Sequence, residues 1–271
     1  RYINDDVTVS GTAVDGTEND TVELRWFNTS SSTWSSYTAV TDTSAGNDLS
    51  SWEYLFTIAS VPEGTLPIQV RALDVFGKTR TFDLELNLDT TAPTVGFSSP
   101  ASGTYVSGTE VNVVGTSSDG AGVGVSEVSL SLVSRGTVLD GSETWSAVNG
   151  TATWSGTFDS TVETEGEYDL YVKAVDSLGN ESAAVKREIG IDQGPPTISE
   201  TGVGEATAYK NNTFILSGEV TDTYGLSEVV VVEGSTTVAT IPVSGTSDTW
   251  SWSKTVDGTN DGTYTYTITV T

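Results

Sequence analysis

RALDVFGK at 71–78 and DTTAPTV at 89–95 form a phrase that the chain repeats as KAVDSLGN at 173–180 and DQGPPTI at 192–198. The first halves of the two phrases are 102 positions apart, and the second halves are 103 apart. Self-similarity at a fixed period indicates that one structural module has been copied along the chain. A residue that recurs in every copy therefore belongs first to the scaffold.

A second marker, Gly-x-x-x-Asp, gives the number of copies. It occurs as Gly11 with Asp15, Gly115 with Asp119, and Gly218 with Asp222. Nothing before Arg1 matches Ala92–Thr104 of the second copy, and the third copy ends before its counterpart of Asp176. We therefore predict three modules: 1–91 without its opening strand, 92–194 complete, and 195–271 without its final strand. We expect the chain to be a segment of a larger exported protein.

Short runs of alternating apolar residues predict β-strands in each copy. The inner set of one such run is Tyr168, Leu170, Val172 and Ala174, and the first copy has Leu66, Ile68, Val70 and Ala72 at the same places. No window keeps a helical period, and a repeat of about 100 residues matches one immunoglobulin-type sandwich. We predict an all-β chain of tandem immunoglobulin-like β-sandwiches arranged end to end. Trp52, Trp154 and Trp250 recur with their copies, so we expect them to pack between the sheets.

The residue inventory excludes most enzyme classes. The chain has no Cys, Met or His, and thiol or Ser-His-Asp catalysis, zinc binding and imidazole general-base chemistry need those side chains. We therefore expect a protein that is not an enzyme.

The charge argues against nucleic acid and lipid partners. With 37 acids against 11 bases, the formal net charge is −26, so phosphate backbones and anionic lipid surfaces repel the chain. No apolar run is long enough to insert into a bilayer. Three explanations of the acidity stay open: solubility and self-repulsion along a rod, binding of divalent cations, and a salty habitat.

Recurrent acids mark the predicted joints between modules. In a sandwich of this topology, Asp89 in the linker, Asp119 after the second strand and Asp176 before the last strand should converge at the first joint. Asp192 and Asp222 are the equivalents at the second joint, where the third member would follow the last residue. Calcium takes six to eight oxygen ligands from carboxylates and loop carbonyls, so we predict calcium at these joints. The alternative is that these Asp side chains only satisfy turn geometry.

Three aromatic residues are candidates for a binding surface. Trp34 and Trp145 each stand in a Thr-Trp-Ser sequence and have no counterpart in the third copy, and Tyr37 follows closely after Trp34. Flat aromatic faces of this kind could stack on sugars. We predict Trp34, Tyr37 and Trp145 as possible glycan contacts.

Several motifs together resemble a known family. They are Thr-Trp-Ser, a second Trp, Gly-x-Tyr-x-Leu-x-Val-x-Ala-x-Asp-x-x-Gly-Asn at 166–180, and Asp-Thr-Thr-Ala-Pro at 89–93. This set is similar to the bacterial immunoglobulin-like repeats of very large surface adhesins and other secreted multidomain proteins. Lys78 departs from the pattern, which prefers Asn there.

The resemblance implies a function at the cell surface. Such repeats build extracellular stalks whose partners are the neighbouring repeats of the same parent chain, and some of these stalks have calcium at their joints. We therefore expect a non-catalytic stalk or spacer. Two alternatives stay open: a carbohydrate-binding module, and a subunit of a filament or surface layer whose exposed strand edges are completed by its neighbours.

Overall fold

The computed structural model describes residues 1–14, 19–46, 48–203, 210–259 and 262–271. Asp15, predicted as part of the Gly-x-x-x-Asp marker, lies outside the described residues. Within those ranges the regular structure is β-strand, apart from single 3₁₀ turns at Ile58–Ser60 and Ser160–Val162. The prediction of an all-β chain is confirmed.

The strands follow the predicted copies. Residues 1–92 form β1 (Tyr2–Ile3), β2 (Val7–Gly11), β3 (Asn19–Asn28), β4 (Thr33–Trp34), β5 (Thr38–Ala39), β6 (Thr41–Asp42), β7 (Trp52–Phe56), β8 (Gly64–Asp74) and β9 (Thr79–Leu88). Residues 93–194 form β10 (Thr94–Ser99), β11 (Thr104–Val106), β12 (Val111–Ser118), β13 (Val125–Ser134), β14 (Ser146–Ala147), β15 (Thr153–Phe158), β16 (Gly166–Asp176) and β17 (Val185–Ile191). Residues 195–271 form β18 (Thr197–Ile198), β19 (Phe214–Thr221), β20 (Glu228–Glu233), β21 (Thr236–Pro242), β22 (Ser247–Lys254) and β23 (Tyr266–Val270).

These strands form six sheets, two from each of the three stretches. The first stretch gives β1-β9-β8-β3-β4, with β5 also paired to β3, and β2-β7-β6. The second gives β10-β12-β15 and β11-β17-β16-β13-β14, and the third gives β18-β19-β22 and β21-β20-β23. Successive pairs of mainly antiparallel sheets are typical of tandem immunoglobulin-like sandwiches.

The register of the sheets repeats with the sequence. In the first stretch β1 runs parallel to β9 with Ile3 opposite Leu88, and in the second β11 runs parallel to β17 with Val106 opposite Ile191. The two pairs are 103 positions apart, as are the closing motifs of the sequence. The repeated phrase therefore specifies strand pairing as well as strand position.

The alternating apolar residues form the cores. Trp52, Trp154 and Trp250 are 7%, 1% and 2% exposed, so the prediction that they are core residues is confirmed. The inner faces of β8 and β16 are buried at Leu66, Ile68, Val70, Tyr168, Leu170, Val172 and Ala174. Ala72, the last residue predicted for the inner face of β8, is half-buried.

One outward position of β16 differs from the prediction. Asp169 alternates with the inner set, yet it is 1% exposed. Its Oδ2 accepts the Gly136 N–H at 3.0 Å, and its Oδ1 lies 3.7 Å from Arg135 Nε and 3.6 Å from Lys186 Nζ. Two cations and a turn cover this carboxylate, an arrangement that the period of two does not encode.

The chain divides into two compact units. The first comprises Arg1–Ser102, Asn112–Thr157 and Asp169–Arg187, and the second comprises Gly103–Val111, Phe158–Tyr168 and Glu188–Thr271. The three module boundaries stay a prediction. Among the described residues, no helix has the length and apolar character needed to cross a membrane.

Candidate metal centre

Three strand ends bring three carboxylates together in the first compact unit. Asp89 follows β9, Asp119 follows β12, and Asp176 is the last residue of β16. One oxygen of each lies within 4.8 Å of the others, and Asp89 and Asp176 are only 5% and 2% exposed. The structure thus brings together the three residues predicted for the first joint.

Asp89 is held in place by residues from three parts of the chain. Its N–H donates to the Ile3 carbonyl at 2.9 Å, and its Oδ2 accepts the Val123 N–H at 2.8 Å. Its carbonyl oxygen accepts the Asn180 side-chain amide at 3.0 Å. The linker therefore enters the site in a fixed conformation.

Asp176 closes a turn and faces the site at the same time. Its Oδ1 accepts the N–H groups of Leu178 at 2.8 Å and Asn180 at 2.9 Å, and its Oδ2 accepts the Asn180 side-chain amide at 2.7 Å. Burial by itself raises the pKa of Asp176, but these hydrogen bonds outweigh it and hold the pKa below its ordinary value. Asp176 is therefore negatively charged at neutral pH.

Asp119 carries an unsatisfied charge. Its Oδ2 accepts the Gly124 N–H at 2.7 Å, whereas its Oδ1 is buried and has no hydrogen-bond partner. A buried carboxylate oxygen without a partner is costly. A bound cation would supply the missing interaction.

Gly122 forms the wall of the site. A Cβ at this position would overlap Asp119 Oδ2 and lie 2.5 Å from Asp89 Oδ2. Sequence reasoning missed Gly122, although the alternation Gly120, Gly122, Gly124 was a signal for close backbone approach. The glycine leaves room at the point where the carboxylates meet.

Asn180 and Asn4 form the second support that sequence reasoning missed. Asn4 Nδ2 donates to the Leu178 carbonyl at 2.9 Å and to Asn180 Oδ1 at 3.3 Å. The turn after β16 is thus tied to the segment between β1 and β2 as well as to the linker. In the first copy Lys78 occupies the position of Asn180, and there the turn is closed by Asp74, whose Oδ1 accepts the Lys78 N–H at 2.7 Å.

The second predicted group is less compact. Burial, then repulsion from Asp222 and, more weakly, from Glu165, raises the pKa of Asp192 above its ordinary value, so these acids lie near one another. Asp222 Oδ1 accepts the N–H groups of Tyr224 at 2.8 Å and Gly225 at 3.0 Å, the turn role that was the alternative. Within the described part of the chain, only the first group brings three acidic ligand atoms within 4.8 Å.

A glutamate fastens each linker. Glu63 Oε1 accepts the Thr90 N–H at 2.9 Å, and Glu165 Oε1 accepts the Gln193 N–H at 3.2 Å. The two glutamates are 102 positions apart, each before a glycine. Glu165 is therefore a linker contact and not a free loop charge, and the recurring Glu-Gly was the signal for it.

The comparisons with known proteins agree with the repeated strands and the buried Trp. Residues 93–172 match the bacterial Ig domain family. The resemblance inferred from the motifs is confirmed for this stretch, which holds Asp119 and the buried Trp154. No curated protein matches the chain.

Solved structures similar to the chain include tandem repeats of adhesins. One is a tetra-tandem repeat in the extending region of a large adhesion protein, at 18% identity and a TM-score of 0.31, covering 97% of this chain and 69% of that one. Another comes from a 1.5-MDa bacterial ice-binding adhesin, at 16% identity and a TM-score of 0.40, covering 94% and 93%. The fibronectin(III)-like modules of Clostridium thermocellum CbhA are 17% identical with a TM-score of 0.32, covering 71% and 88%.

The predicted glycan contacts are covered by cations. In the bacterial Ig stretch, Trp145 is half-buried, and the Lys173 ammonium lies 4.5 Å from the centre of its ring. In the first copy, the Arg25 guanidinium lies 4.5 Å from the centre of Trp34 and 4.6 Å from that of Tyr37. Trp34 remains 39% exposed. Cation–π contacts of this kind compete with a sugar for the ring faces, and glycan contact stays a prediction.

Proposed function

We propose that this chain is a non-catalytic stalk or spacer segment of an extracellular bacterial surface protein, with calcium stiffening its first joint. The tandem Ig-like repeats and the bacterial Ig match support a structural role associated with adhesins. The observation that carries the calcium proposal is the buried Oδ1 of Asp119, which has no hydrogen-bond partner beside two further buried carboxylates.

The donor set suits calcium better than zinc or magnesium. All three side chains are carboxylates on loop ends, and calcium accepts irregular oxygen sites at about 2.3–2.6 Å. Zinc prefers His and Cys, and the chain has neither. Magnesium demands near-ideal octahedral geometry and retains most of its water.

Bound calcium would connect three segments of the chain. Asp89 belongs to the linker after β9, while Asp119 and Asp176 belong to loops of the next copy. Without a cation these negative charges repel one another. With calcium the repulsion becomes attraction, so the linker would lose freedom and the joint would resist bending.

The remaining composition fits the same role. A net charge of −26 keeps an extended segment soluble and repels nucleic acid and anionic membranes. The partners of such a segment are the neighbouring repeats of its parent chain. We place it outside the cell, where millimolar calcium suits sites with dissociation constants of about 10⁻⁴ to 10⁻³ M.

Calcium titration of the full chain tests the proposal. Calorimetry should detect one site at the first joint, and at a calcium concentration about 100-fold above the dissociation constant the folded state gains about 2.7 kcal/mol. The melting temperature should therefore rise by several degrees. Small-angle scattering should report a narrower distribution of lengths after calcium is added.

Two variants separate the site from general charge effects. Asp119→Asn should abolish the calcium response because it removes the unsatisfied charge. Asp74→Asn is the matched control, since Asp74 closes the equivalent turn in the first copy without a cluster around it. Equal calcium responses in both variants, or no response in the unmodified chain, would rule the calcium joint out.

A further inference from the structure

An apolar groove opens beside β2. This strand pairs with β7 and lies at the edge of the β2-β7-β6 sheet. A cavity of about 640 Å³ adjoins it. Residues that line the cavity include Val9, Gly11, Trp52, Ala72, Phe82 and Leu84. Aliphatic and aromatic side chains of the sandwich interior are therefore accessible from outside.

The register of β9 shows that the groove is an uncovered part of the core. Phe82, Leu84, Leu86 and Leu88 lie on one face of this strand. Leu86 and Leu88 are 5% and 4% exposed, whereas Phe82 is 67% exposed. An aromatic residue on the inward face, exposed to this degree, indicates that a covering element belongs above it.

The second copy shows what covers this position. Its β10 runs antiparallel to β12, with Phe97 opposite Gly115. The Phe97 ring contacts the core Trp154 edge-on, with ring centres 5.7 Å apart. Arg187, the counterpart of Leu84, donates to the Phe97 carbonyl at 3.1 Å. One extended strand thus closes the edge and fills the space between the sheets.

The third copy uses the same device. Its β18 runs antiparallel to β19, with Thr197 opposite Thr221. Beyond β18, the Ser199 carbonyl accepts the indole N–H of Trp250 at 3.1 Å. Two independent copies therefore place a strand where the first copy has a groove.

Residues 10–14 of the first copy are the counterparts of residues 114–118. In the second copy, Val114 to Ser118 are all paired with β10. In the first copy the strand ends at Gly11, and Val14 is 84% exposed. Gly11 also preserves the feature that lets a strand approach, since a Cβ on Gly115 would collide with the Gly96 carbonyl of β10.

We propose that this groove binds an extended segment of the β10 type, aligned antiparallel to residues 10–14. Its chemistry follows from the contacts of β10: a small residue opposite Thr12, an aromatic residue opposite Gly11 and over Trp52, and β-branched residues between the two ends. The proposal goes beyond the stalk function, because it assigns a strand-binding site.

The segment comes from the same polypeptide, ahead of Arg1. In the second copy β10 leads into β11 through residues 100–103, and β1 is the counterpart of β11. A segment joined to β1 in this way reaches the groove directly. Covalent connection also gives it an effective concentration in the millimolar range.

A fusion tests the assignment. The sequence of residues 91–103 is joined ahead of Arg1 in the full chain, and a second fusion carries Asp at the position of Phe97. Both are studied with a chelator present, so the outcome is independent of the calcium joint. The first fusion should melt several degrees higher than the unfused chain, and the amide protons of residues 10–14 should exchange at least tenfold more slowly. The second fusion should show neither effect.

A variant and a free peptide complete the experiment. Phe82→Asp should remove the gain of the first fusion while leaving the unfused chain folded, because Phe82 is largely exposed. The free peptide of residues 91–100 should bind weakly and protect the same amides. An unchanged melting temperature in the first fusion overturns the proposal. So does a dimer of the unfused chain that buries residues 10–14 and persists in the fusion.

Discussion

At the scale of single residues, the five predicted aspartates have two roles that overlap. Asp176 and Asp222 each close a turn through backbone N–H groups. Asp176 in addition belongs to a buried cluster, and Asp222 repels Asp192. A turn-closing role therefore does not exclude a ligand role, and the surroundings decide which charges the fold must neutralise.

Asp192→Asn should stabilise the protein at neutral pH. The pKa of Asp192 is raised in the folded state by burial and by Asp222, so its stabilising contribution is complete below the unfolded value and is lost as pH rises through the folded value. At pH 7 the Asn variant removes this cost, by roughly 0.5–1 kcal/mol, and at pH 3 the gain should vanish. Urea unfolding at the two pH values, with a chelator present, measures it.

Asp257→Asn provides the control of opposite sign. Hydrogen bonds from the Thr259 hydroxyl and N–H lower the pKa of Asp257, so its ionised form contributes stability at pH 7 that is lost in acid. This variant should be less stable than the parent at pH 7. A gain in both variants would show that lower net charge alone explains the result.

The carboxylates of the site were predictable, whereas their supports were not. Asp89, Asp119 and Asp176 each follow or end a strand, so topology places them at one end of the copy. Gly122 and Asn4 depend on the path of loops, for which the sequence offers only glycine spacing and a polar residue. Contacts between distant loops have no periodic signal.

At the scale of elements, alternation was the most reliable guide. The inner faces of β8 and β16 follow a period of two because each strand has one face in a core. Asp169 breaks the rule because two cations cover it. The short β4, β5 and β6 and the two 3₁₀ turns were not predicted, since two or three residues carry no periodicity. The turns at Ile58–Ser60 and Ser160–Val162 nevertheless recur 102 positions apart.

The linker after β9 should loosen when Glu63 is removed. Hydrogen bonds from the Thr90 and Thr91 side chains lower the pKa of Glu63, so its carboxylate is ionised at neutral pH and holds both residues. Glu63→Ala should cost roughly 1 kcal/mol and should speed hydrogen exchange of the Thr90 amide. Glu85→Ala removes the same charge from the exposed face of β9, and it should leave that amide unchanged. Equal exchange rates in the two variants would mean that Glu63 does not fasten the linker.

At the scale of the whole molecule, the repeat period carried most of the information. It predicted three successive pairs of sheets, and the family match covers much of the one copy predicted to be complete. The division into two compact units was not predicted. Sequence identity between copies reports shared strand pairing, whereas compactness depends on where side chains from different segments pack.

Salt and calcium should separate the explanations of the acidity. With a net charge of −26, raising sodium chloride from about 0.01 to 0.1 M shortens the screening length from about 30 to 10 Å, so the melting temperature should rise gradually in the presence of chelator. Calcium should add a saturable increment that persists at about 1 M salt, because a buried site is screened much less. Asp119→Asn should keep the gradual rise and lose the increment. If magnesium at equal ionic strength reproduces the increment, or if high salt abolishes it, calcium acts only as a screening ion and the acidity serves solubility or a salty habitat.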